Sequence, residues 1–115
     1  MNQEPTVFSK IINREIPSDI VFENERIIVI KSIEPHAPIH YLGITKQPFD
    51  HLHELLQSED NKDLLWELLH TLSDIAIKEG IDKTGYRLAT NIGKDGGQKV
   101  PHLHVHMLGG AQLEE

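Results

Sequence analysis

The chain has 115 residues, 38% hydrophobic and 25% charged, which suits one globular domain over residues 1–115 with one modest core and needs no second. Eighteen Asp and Glu against eleven Lys and Arg give a formal net charge of -7, which would repel a polyanion over most of the surface and argues against nucleic-acid binding. Zero cysteines exclude disulfides and thiolate chemistry, and the N-terminus shows neither a basic segment nor a long apolar run, so a cytoplasmic protein with no membrane contact is expected.

Val7–Arg14 reads as a short helix with Ser9 near its start and Pro17 beyond its end. Ile20–Glu23 and Ile27–Ser32 are predicted strands joined by Asn24-Glu25, residues that favour a hairpin, and Ile39–Thr45 is a third strand. One long helix is predicted from Ser58 to Glu79: Ser58 caps it, Glu59 and Asp60 suit its first turn, and Gly80 stops it in the left-handed region. Leu64, Leu65, Leu68, Leu69, Leu72, Ile75 and Ala76 recur at helical spacing. Trp66 falls outside that stripe; with Ile77 it either covers the edge of the core or meets a partner. Gly85–Thr90 and His102–Met107 complete the order αβββαββ, which fits an α+β domain with an antiparallel five-stranded sheet.

The last of these strands carries the chemistry. His102, His104 and His106 alternate with Leu103, Val105 and Met107, the period-two pattern of a half-buried strand, which predicts one row of imidazoles facing solvent and one row of apolar side chains facing the core. Imidazole serves as nucleophile, proton donor or acceptor, phosphate partner or metal ligand near neutral pH. Residues two apart on a strand lie roughly 6.5–7 Å apart, whereas nitrogens ligate zinc at about 2 Å, so two of the three could share a metal but not easily all three. A further ligand would come from His36, His40, His51, His53 or a carboxylate. Three solvated surface histidines are the remaining reading.

Upstream, Asn91 to Lys99 contains Gly93, Gly96 and Gly97, a loop able to turn backbone N–H groups towards an anion beside the imidazoles, though Asp95-Gly96-Gly97 also suits an ordinary connection. Gly96-Gly97-Gln98 followed by His102-x-His104-x-His106-x-Leu108-Gly109-Gly110 resembles the signature of the histidine triad (HIT) superfamily, in its nucleotide-binding HINT branch. The likeness extends to Phe8-Ser9-Lys10-Ile11-Ile12, Arg14 to Val21 and Pro35-x-Ala37-Pro38-x-His40, almost the whole chain.

The resemblance implies a HIT-like αβββαββ fold that dimerises into a continuous ten-stranded sheet, and hydrolysis of the P–N bond in purine nucleoside 5′-phosphoramidates derived from AMP or GMP. In that scheme His104 attacks the α-phosphorus and forms a nucleotidyl-imidazole, His106 bonds the phosphate, His102 orients the row, and His40 sets the tautomer of the nucleophile. Asn91 with the amides of Gly97, Gln98 and Lys99 would hold the phosphate, Ser32 the ribose, and Ile33, which alone reads as a core isoleucine, the base. Neither cofactor nor metal enters the scheme.

Ser32 stands where many relatives carry an acidic residue on the ribose, Lys99 where they carry serine or threonine, and Pro101 where an aromatic residue is frequent. The chain ends at Glu115, short of a tail that in many relatives reaches the partner's site. Two further readings follow: a nucleotide-binding regulatory module with incidental turnover, and a dinucleoside polyphosphate hydrolase. His51, His53 and His70 read as solvated polar positions, whereas His36 lies near the expected site.

Overall fold

The computed structural model describes residues 5–115. Helix α1 spans Val7–Ile12 and is held open by a reciprocal cap: the Thr6 hydroxyl accepts the Ser9 N–H at 3.1 Å and the Ser9 hydroxyl accepts the Thr6 N–H at 2.8 Å. It stops two residues short of the predicted end because Arg14 adopts φ 65°, and the Arg14 and Glu15 amides turn back to the carbonyls of Ile11 and Lys10. Strands β1 (Ile20–Glu23) and β2 (Ile27–Lys31) form the expected hairpin, whose turn is closed by the Asn24 side-chain oxygen accepting from the Arg26 and Ile27 amides at 2.9 and 2.8 Å. Strand β3 is Ile39–Thr45, as read from the sequence.

A short helix, α2 (Leu52–Leu55), was not expected; the His51 ring caps it by accepting the Glu54 amide at 3.2 Å. The long helix also begins differently. Ser58 caps a 3-10 turn at Glu59–Asn61, its hydroxyl accepting the Asp60 amide at 3.3 Å, and α3 proper is Lys62–Glu79. Gly80 ends it at φ 78°, a conformation that L side chains resist. Strand β4 is Tyr86–Ala89 and β5 is His104–Gly109. All pairs are antiparallel in the order β1-β2-β3-β5-β4.

The centre of the sheet is covered on both faces, so β2, β3 and β5 are not half-buried as the alternation in the last strand suggested. Helix α3 packs Leu64, Leu68, Leu72 and Ile75 on the face that carries Ile27, Val29, Val105 and Met107. Helix α1 packs Phe8 and Ile11 on the other, against Ile28, Ile30, Leu42 and Ile44. The unbroken run Ile27-Ile28-Val29-Ile30 reflects this, since a strand buried on both sides has no polar alternation. Gly43 admits α3: a Cβ there would meet the Leu72 side chain at 3.0 Å. Leu72 is fully buried in this contact, so Leu72→Ala is expected to cost about 2–5 kcal/mol by urea denaturation, with the unfolding slope unchanged.

Candidate active site

Strand register lays out the site along the α1 face. On β3, His40 pairs with Leu108, Leu42 with His106 and Ile44 with His104, so the sequence of groups from one end of the sheet to the other is the 32–36 loop, His40, His106, His104 and then the 91–103 segment. Beside them lies a cleft of about 410 Å³, within the range that holds a small molecule. His40, His104, His106, Ser32, Ile33, Asn91, Gly97 and Lys99 all line it. His102 and Gln98 do not.

His102 lies before β5 rather than on it. Pro101 has no N–H to give, the His102 amide turns back to the Val100 carbonyl at 2.8 Å, and the Leu103 amide bonds the Phe49 carbonyl at 2.7 Å, so the chain joins the ladder only at His104. Its ring is buried, with Nε2–H donating to the Thr45 carbonyl at 2.7 Å and the edge of Phe8 at 6.1 Å. The His102 carbonyl in turn accepts the Nδ1–H of His104 at 2.7 Å. Because a carbonyl only accepts, His104 carries its proton on Nδ1 and keeps the lone pair on Nε2. Thr90 donates its hydroxyl to the His104 carbonyl at 2.7 Å and pins the strand there.

A second chain of bonds fixes His106. The His36 amide donates to Nδ1 of His40 at 3.0 Å, so neutral His40 carries its proton on Nε2 and donates it to Nδ1 of His106 at 2.9 Å. That leaves His106 with Nε2–H as a donor. His40 therefore bonds His106, not His104 as expected: its partner across the sheet is set by register, and the carbonyl of His102 already occupies Nδ1 of His104.

Burial biases all four of these rings towards the neutral form. Burial pushes His104, His40 and His102 below the ordinary imidazole range. Burial, reinforced by the neighbouring His104, His40 and His36, lowers His106 to about 4. Nor do the imidazoles face open solvent: His104 is 8% exposed and its ring meets the edge of Phe8 at a centroid distance of 4.8 Å.

The glycine-rich loop differs from expectation in which amides it offers. Gly97 donates to the Lys94 carbonyl and Gln98 to the Gly93 carbonyl, each at 3.0 Å, so the turn consumes both. A Cβ on Gly96 would meet the Ile92 carbonyl at 2.4 Å, which explains the glycine. The Lys99 amide has no hydrogen-bond partner among the described residues. Gln98 is a brace: its side chain donates to the carbonyls of Asp50 and Val100 at 2.6 and 2.9 Å and accepts the Gly93 amide at 2.8 Å. Asn91 donates its side-chain amide to the Gly96 carbonyl at 2.8 Å and lines the cleft. Ser32 accepts the Glu34 amide at 3.2 Å, and its hydroxyl proton remains to give. Ile33, far from being a core residue, is 91% exposed at the cleft's edge.

Phe8 and Ile11 of α1 wall the cleft, a role that sequence reading missed although their spacing puts both on one helix face. No group of three or more His, Asp or Glu side chains among the described residues is arranged to hold a metal ion. His51 is a helix cap, His53 bonds Gln57, and His70 stacks on Trp66 at 4.3 Å. No helix among the described residues is long and apolar enough to cross a membrane.

The family described as "Scavenger mRNA decapping enzyme C-term binding" matches residues 5–114. Over 110 residues the chain is 46% identical to an uncharacterized HIT-like protein of Synechococcus elongatus, covering 96% of this chain and 94% of that one. It is 41% identical to the purine nucleoside phosphoramidase of Escherichia coli, covering 96% and 91% of the two chains. The solved structure of a HIT family hydrolase from Clostridium thermocellum matches with a TM-score of 0.91 at 43% identity, over 99% of this chain and 97% of that one.

The neutral imidazoles make stability depend on pH with a definite sign. His40, His102, His104 and His106 each bind a proton less tightly than the unfolded side chain of pKa about 6.5, so their contribution is complete above that value and is lost as pH falls towards the native values, about 4 for His106. The urea midpoint is therefore expected to fall steadily from pH 7 to pH 5. Glu23 works in a separate window: its bonds with Lys46 and Arg14 lower its pKa from 4.5, so its contribution fades only below that pH.

Proposed function

Because the chain belongs to the histidine triad family of nucleotide hydrolases, we propose that it cleaves the P–N bond of purine nucleoside 5′-phosphoramidates, of the AMP-amide and AMP-lysine type, through a nucleotidyl-His104 intermediate. The observation that carries this reading is the tautomer of His104: Nδ1–H is tied to a backbone carbonyl, and the free Nε2 belongs to a neutral ring lining the cleft. The 41% identity to a phosphoramidase supports the choice of substrate.

In this scheme the base lies on exposed Ile33, the ribose hydroxyls meet Ser32, and the phosphate reaches Nε2–H of His106, the Lys99 amide and the Asn91 side chain. His104 Nε2 attacks phosphorus; the new N–P bond forms as the P–N bond to the amine breaks, and the amine leaves with the electron pair and takes up a proton. The nucleotidyl ring is then cationic, and the His102 carbonyl holds its Nδ1–H throughout. Water attacks phosphorus from the vacated side, the N–P bond returns its pair to Nε2, and AMP departs as the proton passes to solvent. His40 is a positioning residue that keeps the donor face of His106 on the phosphate. The scheme uses no cofactor.

A two-fold homodimer within a cytoplasmic setting belongs to the same reading. Trp66 and Ile77 are 65% and 57% exposed on α3, Leu88 is exposed on β4, and β4 is an edge strand with one side unpaired in the sheet. Pairing β4 with its copy would join the two sheets into ten strands. Light scattering at micromolar concentration is expected to give twice the chain mass of 13.1 kDa; a value at 13.1 kDa would exclude the dimer.

Adenosine 5′-phosphoramidate is expected to release AMP faster than a dinucleoside polyphosphate does, and the reverse order would replace this reading by the polyphosphate one. His104→Ala should cut turnover by at least about 10³-fold. Since His104 packs on Phe8, the same change should cost about 1–3 kcal/mol in urea denaturation, leaving a folded chain in which the lost turnover reports the nucleophile.

A further inference from the structure

Among the described residues, three charged side chains line the cleft: Lys31, Glu34 and Lys99. Register separates them. Lys31 ends β2 and Glu34 lies in the loop that follows, both at the His40 end with Ile33, whereas Lys99 lies at the other end, on the segment that leads to His104. The four imidazoles between are His36, His40, His106 and His104, and the proposed base and ribose contacts occupy the His40 end. Whatever hangs on the far side of the phosphorus is thereby directed towards the 91–99 loop. Lys94 and Asp95 in that loop do not line the cleft. Lys99 is exposed and forms no ion pair among the described residues, so its ammonium is the fixed charge that a departing group meets there, in a chain of formal net charge -7.

We propose that Lys99 is a specificity-determining residue that selects amine leaving groups bearing a negative charge and disfavours those bearing a positive one. This rests on the phosphoramidase reading and deepens it by naming the substrate class: AMP amides of amino acids joined through nitrogen, with the free carboxylate near the scissile bond, over AMP amides of diamines. A unit charge within about 6 Å of the ammonium, between the dielectric of a protein surface and that of water, changes the preference by about tenfold when the lysine is neutralised.

Three AMP amides that share the same scissile bond test it: those of β-alanine, propylamine and ethylenediamine, which end in a negative, a neutral and a positive group. The wild type should show kcat/KM in that order, after correction for the reactivity of each amide in water. Lys99→Ser should shrink the ratio of the β-alanine to the ethylenediamine amide by about a hundredfold, tenfold for each of the two unit charges, Lys99→Glu should reverse it, and Lys99→Arg should keep it. High salt should compress the wild-type ratio and leave that of Lys99→Ser little changed. Equal ratios in the wild type, Lys99→Ser and Lys99→Glu would overturn the proposal. If the wild type hydrolyses none of the three, the phosphoramidase reading fails by itself. Calorimetric Kd values for the same amides on the same variants then read the charge preference, with the same order supporting it and no order overturning it.

Discussion

An imidazole facing a backbone carbonyl has one tautomer left, and the site depends on that restriction. The His102 carbonyl at 2.7 Å leaves the cleft-facing ring of His104 with a lone pair on Nε2. By the same logic the His36 amide, through His40, leaves His106 with a hydrogen to give. One ring can thus supply an electron pair and its neighbour a donor, although both are histidines two residues apart on one strand. Without these bonds each ring would divide itself between two forms, and only some combinations would be able to bind and attack at once.

Such bonds hold because the rings are kept from water, and that follows from packing on both faces of the sheet. Helix α1, fixed by the reciprocal Thr6 and Ser9 cap, sets Phe8 against His104 and His102. Helix α3 fills the opposite face, entering close over Gly43. Burial also disfavours the charged form of these rings, while Lys31 and Lys99 line the same cleft. Two adjacent charged rings would also repel each other.

Much of this was legible in local patterns. Asn24 in its hairpin, Gly80 at φ 78°, the apolar stripe of α3 and the alternation from His104 to Met107 all report short-range chemistry that a one-dimensional reading captures. What escaped it depends on pairing across the sheet. His40 meets His106 because Leu42 and His106 are in register, and no residue near His40 in the chain says so. His102 leaves the row because Pro101, a local amide bond from His102 to Val100 and a long-range one from Leu103 to Phe49 delay the start of β5. The burial of the row was readable after all, since Ile27-Ile28-Val29-Ile30 demanded cover on both faces, but the clue stood on a different strand from the histidines it concerned. Ile33 misled in the opposite direction: an isoleucine between two strands looked like core and is a ledge.

The bond that starts the His36–His40–His106 chain comes from the main chain. Position 36 therefore serves the relay whatever its side chain, provided it is not proline, which has no N–H to give. The same is true of the carbonyl at position 102 as a bare acceptor, although there the ring's own bond to Thr45 also holds the carbonyl in place. Part of the apparatus is thus encoded in backbone path rather than in residue identity. Related chains are free to drift at position 36 while the relay persists, and a comparison of side chains alone would overlook a participant whose contribution is invisible in an alignment.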